Sequence, residues 1–394
     1  MKRKDFDIVP LGAILEDTPR NGYSPVCPEL PTGKWVLSLS ALDGNGLDLS
    51  APKPAPVNDP LVDKFMLRRG DFLISRSNTS DKVGRVGVFR GELKNCSYPD
   101  LMMRFRPDCD KVDPRFLETY LNSDTAIKFI RQHANGTSGS MKKINRETVE
   151  SIPVVMPPIL EQENIAEVIS NWHKAIQKNE RLIISKFQFY DFLSKTLLGP
   201  TVWRSSKHLR ADRLFDTISE KNTPELPLLA VTQDQGVIPR SMLDRRISMS
   251  ASNPANFKVV RENDFVISLR SFQGGLEHSA YDGLVSPAYT VLRCRPELEP
   301  RFYRHYLKSP DFIRRLSVAV IGIRDGKQIS FRDFASIKLP LPPRDQQQKI
   351  ARLLDESEKE IKLLKRQALL LQKQKRGLMQ KLLTGQWRPD MARR

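Results

Sequence analysis

The sequence predicts an α+β (mixed α/β) fold: two homologous globular domains joined by two long helices that form an antiparallel intramolecular coiled coil, with a pseudo-twofold relation. Three observations carry this expectation. A block from Gly70 to Leu198 recurs, with different fillings, from Asn263 to Leu383. Each copy mixes short strand-like runs with turn clusters and one shorter helical pattern. Each copy then ends in a long proline-free stretch with apolar residues at steps of four and three. A repeat of this length marks duplicated structure, and two copies this large are domains rather than solenoid units.

In chain order, Trp35-Val36-Leu37-Ser38-Leu39, Phe72-Leu73-Ile74-Ser75 and Val86-Gly87-Val88-Phe89 read as strands of the first domain. Pro52, Pro54, Pro56 and Pro60 mark an extended loop between the first two. Phe116 to His133 has helical spacing, with Phe116, Tyr120, Ile127 and Ile130 near one face. Pro157-Pro158 then stops the strand-like run and opens the first long helix. In the second domain Pro224 to Val231, Asp264 to Leu269 and Tyr289 to Arg293 read as strands, and Phe302 to Leu316 as a helix. The expected boundaries are 1–156 and 201–341 for the two domains, with a spacer helix at 157–200 and a second spacer helix and tail at 342–394.

The repeat is carried by short signatures. Gly70-Asp71-Phe72-Leu73-Ile74-Ser75 returns as Asn263-Asp264-Phe265-Val266-Ile267-Ser268, and Arg104-Phe105-Arg106-Pro107 as Arg293-Cys294-Arg295-Pro296. Ser151-Ile152 followed by Pro157-Pro158 and Gln162 returns 185 residues later as Ser336-Ile337, Pro342-Pro343 and Gln347. The same offset relates the two helical seams. Ile165, Ile169, Trp172, Ile176, Asn179, Ile183, Lys186, Tyr190, Leu193 and Leu197 map onto Ile350, Leu354, Ser357, Ile361, Leu364, Ala368, Leu371, Lys375, Leu378 and Leu382. Eight of the ten are apolar or aromatic in each copy, and steps of four and three average the coiled-coil period. Packing of each helix on its own domain would also give an apolar stripe, but usually a broader and shorter one. The first helix delivers the chain to the second domain, so a partner helix that starts there and pairs along it must run back. From Ile165 to Leu197 the seam is roughly 48 Å long at about 1.5 Å per residue, which implies a dumbbell with both termini near the first head.

The formal charge of +18 and a pI near 9.8 suit a partner with phosphates; the bland reading is solubility charge spread over the surface. Cys27, Cys96, Cys109 and Cys294 have neither zinc nor disulfide spacing. No apolar run is long enough to span a bilayer and the first residues lack a signal core, so a cytoplasmic protein is expected.

Two heads of one architecture and different loops suit a polymer that presents two short sites at a fixed separation, as double-stranded DNA does. In the first head the candidate loops are Arg76–Arg85, with Arg76, Asn78, Lys82 and Arg85, and Asn135–Asn145, with Lys142 and Lys143. In the second they are Arg270–Gly275, with Arg270 and Gln273, and Gly322–Gln328, with Arg324, Lys327 and Gln328. Arg, Lys, Asn and Gln are the side chains that reach base edges and phosphates. Each loop alone reads equally as a solvated turn; recurrence of the cationic, glycine-bearing character in all four corresponding loops favours a binding surface.

Catalysis finds little support. Asp71 with Glu92-Leu93-Lys94 loosely imitates a magnesium-holding nuclease cluster, but Asp264, the repeat partner of Asp71, has no matching Glu-x-Lys, so a structural role is favoured. His133, His173, His208, His278 and His305 show no ligand spacing. Phosphate-loop and dinucleotide fingerprints are absent, and Met156-Pro157-Pro158-Ile159 and Leu341-Pro342-Pro343-Arg344 lack the residue that an adenine methyltransferase needs before Pro-Pro. No catalytic and no metal site is expected.

With these residues in view, the chain resembles the specificity subunits of type I restriction-modification enzymes over nearly its whole length. The resemblance rests on the duplicated Asp-Phe-x-Ile-Ser strand, on Ser-Ile-x-x-x-x-Pro-Pro leading to Gln162 and Gln347, and on the Leu382-Leu383-Thr384-Gly385 ending. The first copy departs from it, ending Leu197-Leu198-Gly199-Pro200. The resemblance implies two target recognition domains, each reading half of a bipartite DNA sequence, with the helix pair as ruler. It also implies two methylation subunits that use S-adenosylmethionine on adenine, and restriction subunits that use ATP and Mg, all docked on a chain without chemistry of its own. Two other readings stay open: a specificity component whose partner fuses methylase and nuclease, and a coiled-coil adaptor that binds no DNA.

Overall fold

The computed structural model describes residues 6–44, 46–136, 141–200, 203, 206–221, 225–243, 256–268, 275–320 and 329–388. The chain falls into two compact units, Met1–Lys178 with Ala368–Arg394, and Asn179–Gln367. Each unit therefore contains part of each long helix, Ile159–Leu198 and Arg344–Leu383, both 40 residues long.

In the first unit the sheet order is Leu15–Asn21, Met102–Pro107, Phe72–Ser75, Val86–Val88, all antiparallel. Phe72 faces Phe105 and Leu73 faces Arg104. Alternation then sends Phe72, Ile74, Met103 and Phe105 into a core completed by Phe116, Tyr120 and Ile130. The predicted helix from Phe116 to His133 is two, Pro114–Leu121 and Asp124–His133. Ser123 separates them because its hydroxyl accepts the Ala126 amide at 3.3 Å and caps the second. The Trp35–Leu39 strand shrinks to Trp35–Val36, with a 3-10 turn at Leu39–Ala41.

The second unit repeats the plan. Phe215–Ile218, Thr290–Cys294, Phe265–Ile267 and Glu277–His278 form its antiparallel sheet in the same order. The helix expected from Phe302 to Leu316 is again split, into Pro300–Tyr306 and Pro310–Val320, and the Ser309 hydroxyl accepts the Phe312 amide at 3.3 Å. The core is aromatic: Phe215 meets Phe265, Tyr303 and Phe334 edge-on at 5.4–5.7 Å between ring centroids.

Both long helices start the same way. Asp7–Pro10 pairs antiparallel with Pro153–Met156, and His208–Arg210 with Lys338–Pro340, just before each Pro-Pro. Proline is preorganised for a first turn and has no amide proton to satisfy there. The Gln162 amide then accepts from the Asp113 backbone N–H at 2.9 Å and donates to the Pro157 carbonyl at 2.8 Å. Gln347 does the same with Glu299 at 2.9 Å and Pro342 at 2.8 Å. Each buried glutamine thus fastens a helix start to the cap of a helix in its own unit. The first long helix ends at Leu198, immediately before Gly199-Pro200.

Each core is closed by the beginning of one long helix and the end of the other. Ile165, Ala166 and Ile169 join Leu382 and Leu383 in the first unit; Ile350, Ala351 and Leu354 join Leu193, Leu197 and Leu198 in the second. Within the second unit Asn179 bonds Gln367 at 3.0 Å, Lys186 pairs with Glu360 at 2.8 Å and Tyr190 bonds Glu358 at 3.1 Å. Numbers rise on one helix as they fall on the other, so the two segments run antiparallel. Of the seam positions, Ile165, Ile169, Ile176, Ile350, Leu354, Ile361 and Leu382 are buried, while Trp172, Ile183, Leu197, Leu364 and Leu371 are half-buried. Between Lys359 and Gly377 the shielded residues are Ile361, Leu364, Ala368, Leu371 and Lys375, and the others are exposed. No helix among the described residues is long and apolar enough to cross a membrane.

Candidate nucleic-acid interface

In the first unit the structure brings the two loops singled out above together. Ser77–Asn78 and Lys142–Lys143 form a two-stranded antiparallel ladder, with Lys142 opposite Asn78 and Lys143 opposite Ser77. The Ile144 amide donates to the Arg76 carbonyl at 2.9 Å, and Asn135 and Lys143 exchange backbone hydrogen bonds, both at 2.9 Å. Gly84 closes the first loop: its φ of +80° suits glycine, and a Cβ there would lie 2.3 Å from Ile130 Cγ2. Arg131 donates to the Asp81 carbonyl at 2.7 Å, and the Thr79 hydroxyl, hydrogen-bonded to the Asp81 carboxylate at 2.6 Å, holds that carboxyl below its usual range.

The side chains of these loops divide by environment. Lys82 and Lys143 are exposed, and Lys142 is half-buried with its Nζ donating to the Gly136 carbonyl at 2.9 Å. Asn78 spends its amide on its own turn, accepting from the Thr79 N–H at 2.9 Å and donating to the Ser75 hydroxyl at 3.3 Å. Arg85 donates to the Leu42 carbonyl at 3.3 Å, and Arg76 reaches the Asp100 carbonyl at 3.5 Å. In the second unit Arg270, Gln273, Arg324, Lys327 and Gln328 lie outside the described residues.

Beside the loop pair lies a cleft of about 670 Å³ that sequence reasoning missed. Arg20, Lys64, Arg68, Arg104, Arg106 and Arg146 line it, with Glu16 and Asp17 on one wall and Phe65 and Tyr98 on another. Arg146 follows directly on the Lys142–Asn145 segment, which places one cation of the cleft next in sequence to the second loop. Gly22 lets the edge strand pass close: a Cβ there would lie 2.2 Å from the Tyr98 carbonyl oxygen. A signal existed in Arg104-Phe105-Arg106, since alternate residues of a strand share a face. Those arginines served above only as a mark of the repeat.

Asp71 sits beneath the cleft, fully buried. It accepts from Arg104 Nη1 at 3.1 Å, Arg106 Nε at 2.6 Å and the Arg68 backbone N–H at 2.6 Å. A carboxylate held this way is a structural counter-ion. Glu92 instead accepts the Arg90 amide at 2.8 Å. Among the described residues no group of three or more His, Cys, Asp and Glu side chains is disposed to hold a metal ion. The second unit repeats the counter-ion: Asp264 accepts from Arg293 Nε and Nη2 at 2.7 and 2.8 Å and from the Arg261 N–H at 2.9 Å.

The five histidines are spread through the fold. His133 stacks on Phe129, His173 meets Gln177, His208 bonds the Ser206 carbonyl, His278 bonds Asn263, and His305 bonds Asp355 and Tyr190.

Comparison with known proteins fits this duplicated plan. The family model described as type I restriction modification DNA specificity domain matches twice, over residues 59–185 and 209–372. A protein of Methanocaldococcus jannaschii named as the MjaX specificity subunit of a type I restriction enzyme is 23% identical over 410 residues, covering 98% of this chain and 94% of its own. The EcoKI specificity subunit of Escherichia coli K12 is 28% identical over 182 residues, 46% of this chain and 39% of its own. Two solved structures share the fold. The type I restriction-modification S subunit from M. genitalium has a TM-score of 0.59 at 15% identity, covering 100% of this chain and 98% of that one. A chain from work on complex assembly and conformational transition of the type I R-M system has a TM-score of 0.60 at 19% identity, covering 97% and 98%. With both copies matched and nearly the whole length aligned to such subunits, the chain belongs to the type I restriction-modification specificity-subunit family.

Proposed function

We propose that each unit reads one half of a bipartite double-stranded DNA target and that the helix pair sets the spacing between the halves. The observation that carries this reading is the contrast between frame and filling. Sheet order, buried aspartate and glutamine latch recur in both units, whereas Arg76–Arg85 and Arg270–Gly275 differ in sequence. A constant frame with variable loops is what reading two different short sequences requires. A 40-residue helix is about 60 Å long, comparable with the separation of sites one to two duplex turns apart.

The chain itself carries out no chemistry in this reading. It docks two methylation subunits that supply S-adenosylmethionine-dependent adenine methylation, and restriction subunits that use ATP and Mg. Support for docking comes from the first long helix, where Ile184, Phe187, Phe189 and Phe192 are 49–62% exposed. The residues 185 positions later are Leu369, Gln372, Gln374 and Gly377. Exposed aromatic surface beside an already filled seam favours a protein partner.

Methylome sequencing of a host carrying this chain with its methylation partner tests the proposal. The expected result is one methylated motif made of two short defined segments around an undefined spacer. A single continuous motif would overturn it.

A further inference from the structure

We propose that the arginine-lined cleft of the first unit binds backbone phosphate of duplex DNA, and that the corresponding surface of the second unit does not. This role presupposes that the chain binds DNA, as proposed above, and assigns the anchoring contact to one particular surface.

The cleft holds more positive charge than its own carboxylates neutralise. Asp17 takes Arg104 Nη2 at 2.7 Å, and Asp71 takes Arg104 Nη1 and Arg106 Nε. Arg106 Nη2 is left buried and without a hydrogen-bond partner among the described residues. That donor is shielded from solvent, so the groups a phosphate reaches directly are the exposed cations around it, and guanidinium and ammonium groups both fit a phosphate oxygen. Arg20, Lys64 and Arg68 are exposed at the rim and form no ion pair among the described residues. Arg146 donates Nε to the Pro19 carbonyl at 3.2 Å, which holds its guanidinium at the mouth of the cleft. Asp71 makes the arrangement rigid, because it aims two arginines from below and leaves the upper side of the cleft to a ligand.

The second unit has the same arginines and a different charge balance. Arg295, the counterpart of Arg106, is paired with Asp216 at 3.1 Å. Arg261, which gives Asp264 its backbone N–H as Arg68 does Asp71, is paired with Glu220 at 3.2 Å and Asp282 at 3.3 Å. Arg293 is held by Asp264. Asp216 stands where the first unit has Asp17, and two further carboxylates, Glu220 and Asp282, occupy the acceptor role on Arg261 that the first unit leaves to an outside group at Arg68.

An extended polyanion fits better than a small ion. The cleft is open, its cations come from four separate chain segments, and one of them, Arg146, follows directly on the Lys142–Asn145 segment.

The test titrates the full chain with a fluorescein-labelled random-sequence duplex and reads anisotropy across a salt series. Replacing Arg20→Gln, Lys64→Gln and Arg146→Gln together leaves the Asp71 cluster intact. It is expected to lower the slope of log affinity against log salt by about 2 to 3, and to weaken binding at least about tenfold near 100 mM salt. A control with the same charge change, Lys362→Gln, Lys365→Gln and Arg366→Gln on the exposed face of the second long helix, is expected to shift the slope by less than about 1. A wild-type slope in the cleft variant, with the wild-type chain still binding DNA, overturns the phosphate site and leaves the DNA reading standing. So does an equal fall in the control. Absence of salt-sensitive binding by the wild-type chain overturns both. If inorganic phosphate raises the melting temperature of the wild type but not of the cleft variant, and the DNA slopes coincide, the cleft is a small-anion site and the proposal fails.

Discussion

Asn179 donates its side-chain amide to the Gln367 carbonyl oxygen at 3.0 Å, halfway along both long helices. Asn179 is buried, and its own Oδ1 has no partner among the described residues. A buried acceptor left unsatisfied costs about 1–3 kcal/mol, while a polar residue in a helix seam can hold register at that expense. Asn179→Leu is therefore expected to stabilise the chain by about 1 kcal/mol, since leucine fills the seam and Gln367 is free to turn to water. Thermal unfolding followed by circular dichroism checks this. A lower melting temperature would mean that the single hydrogen bond outweighs the orphaned oxygen.

The glutamine latches predict matched losses in the two units. Gln162→Ala leaves the Asp113 amide and the Pro157 carbonyl buried without their partner, and Gln347→Ala does the same to Glu299 and Pro342. Each substitution is expected to destabilise its own unit by about 2–4 kcal/mol, one unsatisfied group costing about 1–3. Hydrogen exchange read separately over residues 102–133 and 290–320 checks the assignment. Loss of protection in both segments from one substitution would contradict it.

These latches also mark what was legible in the sequence. Gln162 and Gln347 stood out because the repeat keeps their distance from Pro-Pro, and the seams stood out because a 3.5-residue period is a local pattern. The split at Ser123 was missed although Asn122-Ser123-Asp124 is a capping signal, because the apolar spacing of Phe116, Tyr120, Ile127 and Ile130 runs through it. Sheet order was beyond reach for a different reason. Leu15–Asn21 pairs with Met102–Pro107 across some 85 residues of chain with a register shift between Asp17 and Arg20, and no local pattern encodes that. The cleft fails for the same cause: Arg104 and Arg106 share a face by strand geometry, but Arg20, Lys64 and Arg146 reach it only through long-range pairing.

His278 makes the second unit acid-sensitive. Burial first, then the Arg304 guanidinium and His305, outweigh the Asp355 carboxylate and push its pKa down to about 4. The folded state thus refuses a proton that the unfolded state takes near pH 6.5, so the unfolded state binds more protons between the two values and stability falls as pH falls. On cooling-free acidification from pH 7 to 4 the second unit is expected to lose about 2–3 kcal/mol from this group. His278→Gln should flatten that part of the profile. Fluorescence of Trp203, which is buried in the second core, reports it in a chain whose Trp35, Trp172 and Trp387 are replaced by phenylalanine. An unchanged acid limb in His278→Gln would assign the loss to other groups.

The division of labour between frame and loops predicts the outcome of two rearrangements. Exchanging residues 201–341 for the homologous segment of another specificity subunit is expected to change one half of the methylated motif and preserve the other, because the first unit keeps its own sheet, loops and cleft. Inserting seven residues beside Asn179 and seven beside Leu364 preserves the seam period, adding about 10.5 Å of helix at 1.5 Å per residue. That length corresponds to about 3 base pairs of duplex at about 34 Å per turn, so the undefined spacer should lengthen by about that amount with both half-sites intact. Matching insertions are required because each long helix closes a core at both of its ends: Ile165 and Leu198 on the first, Ile350 and Leu382 on the second. Methylome sequencing reads both experiments. A spacer that stays fixed while the protein remains folded would show that the helices do not set the distance, and a swap that alters both halves would show that the two units do not read independently.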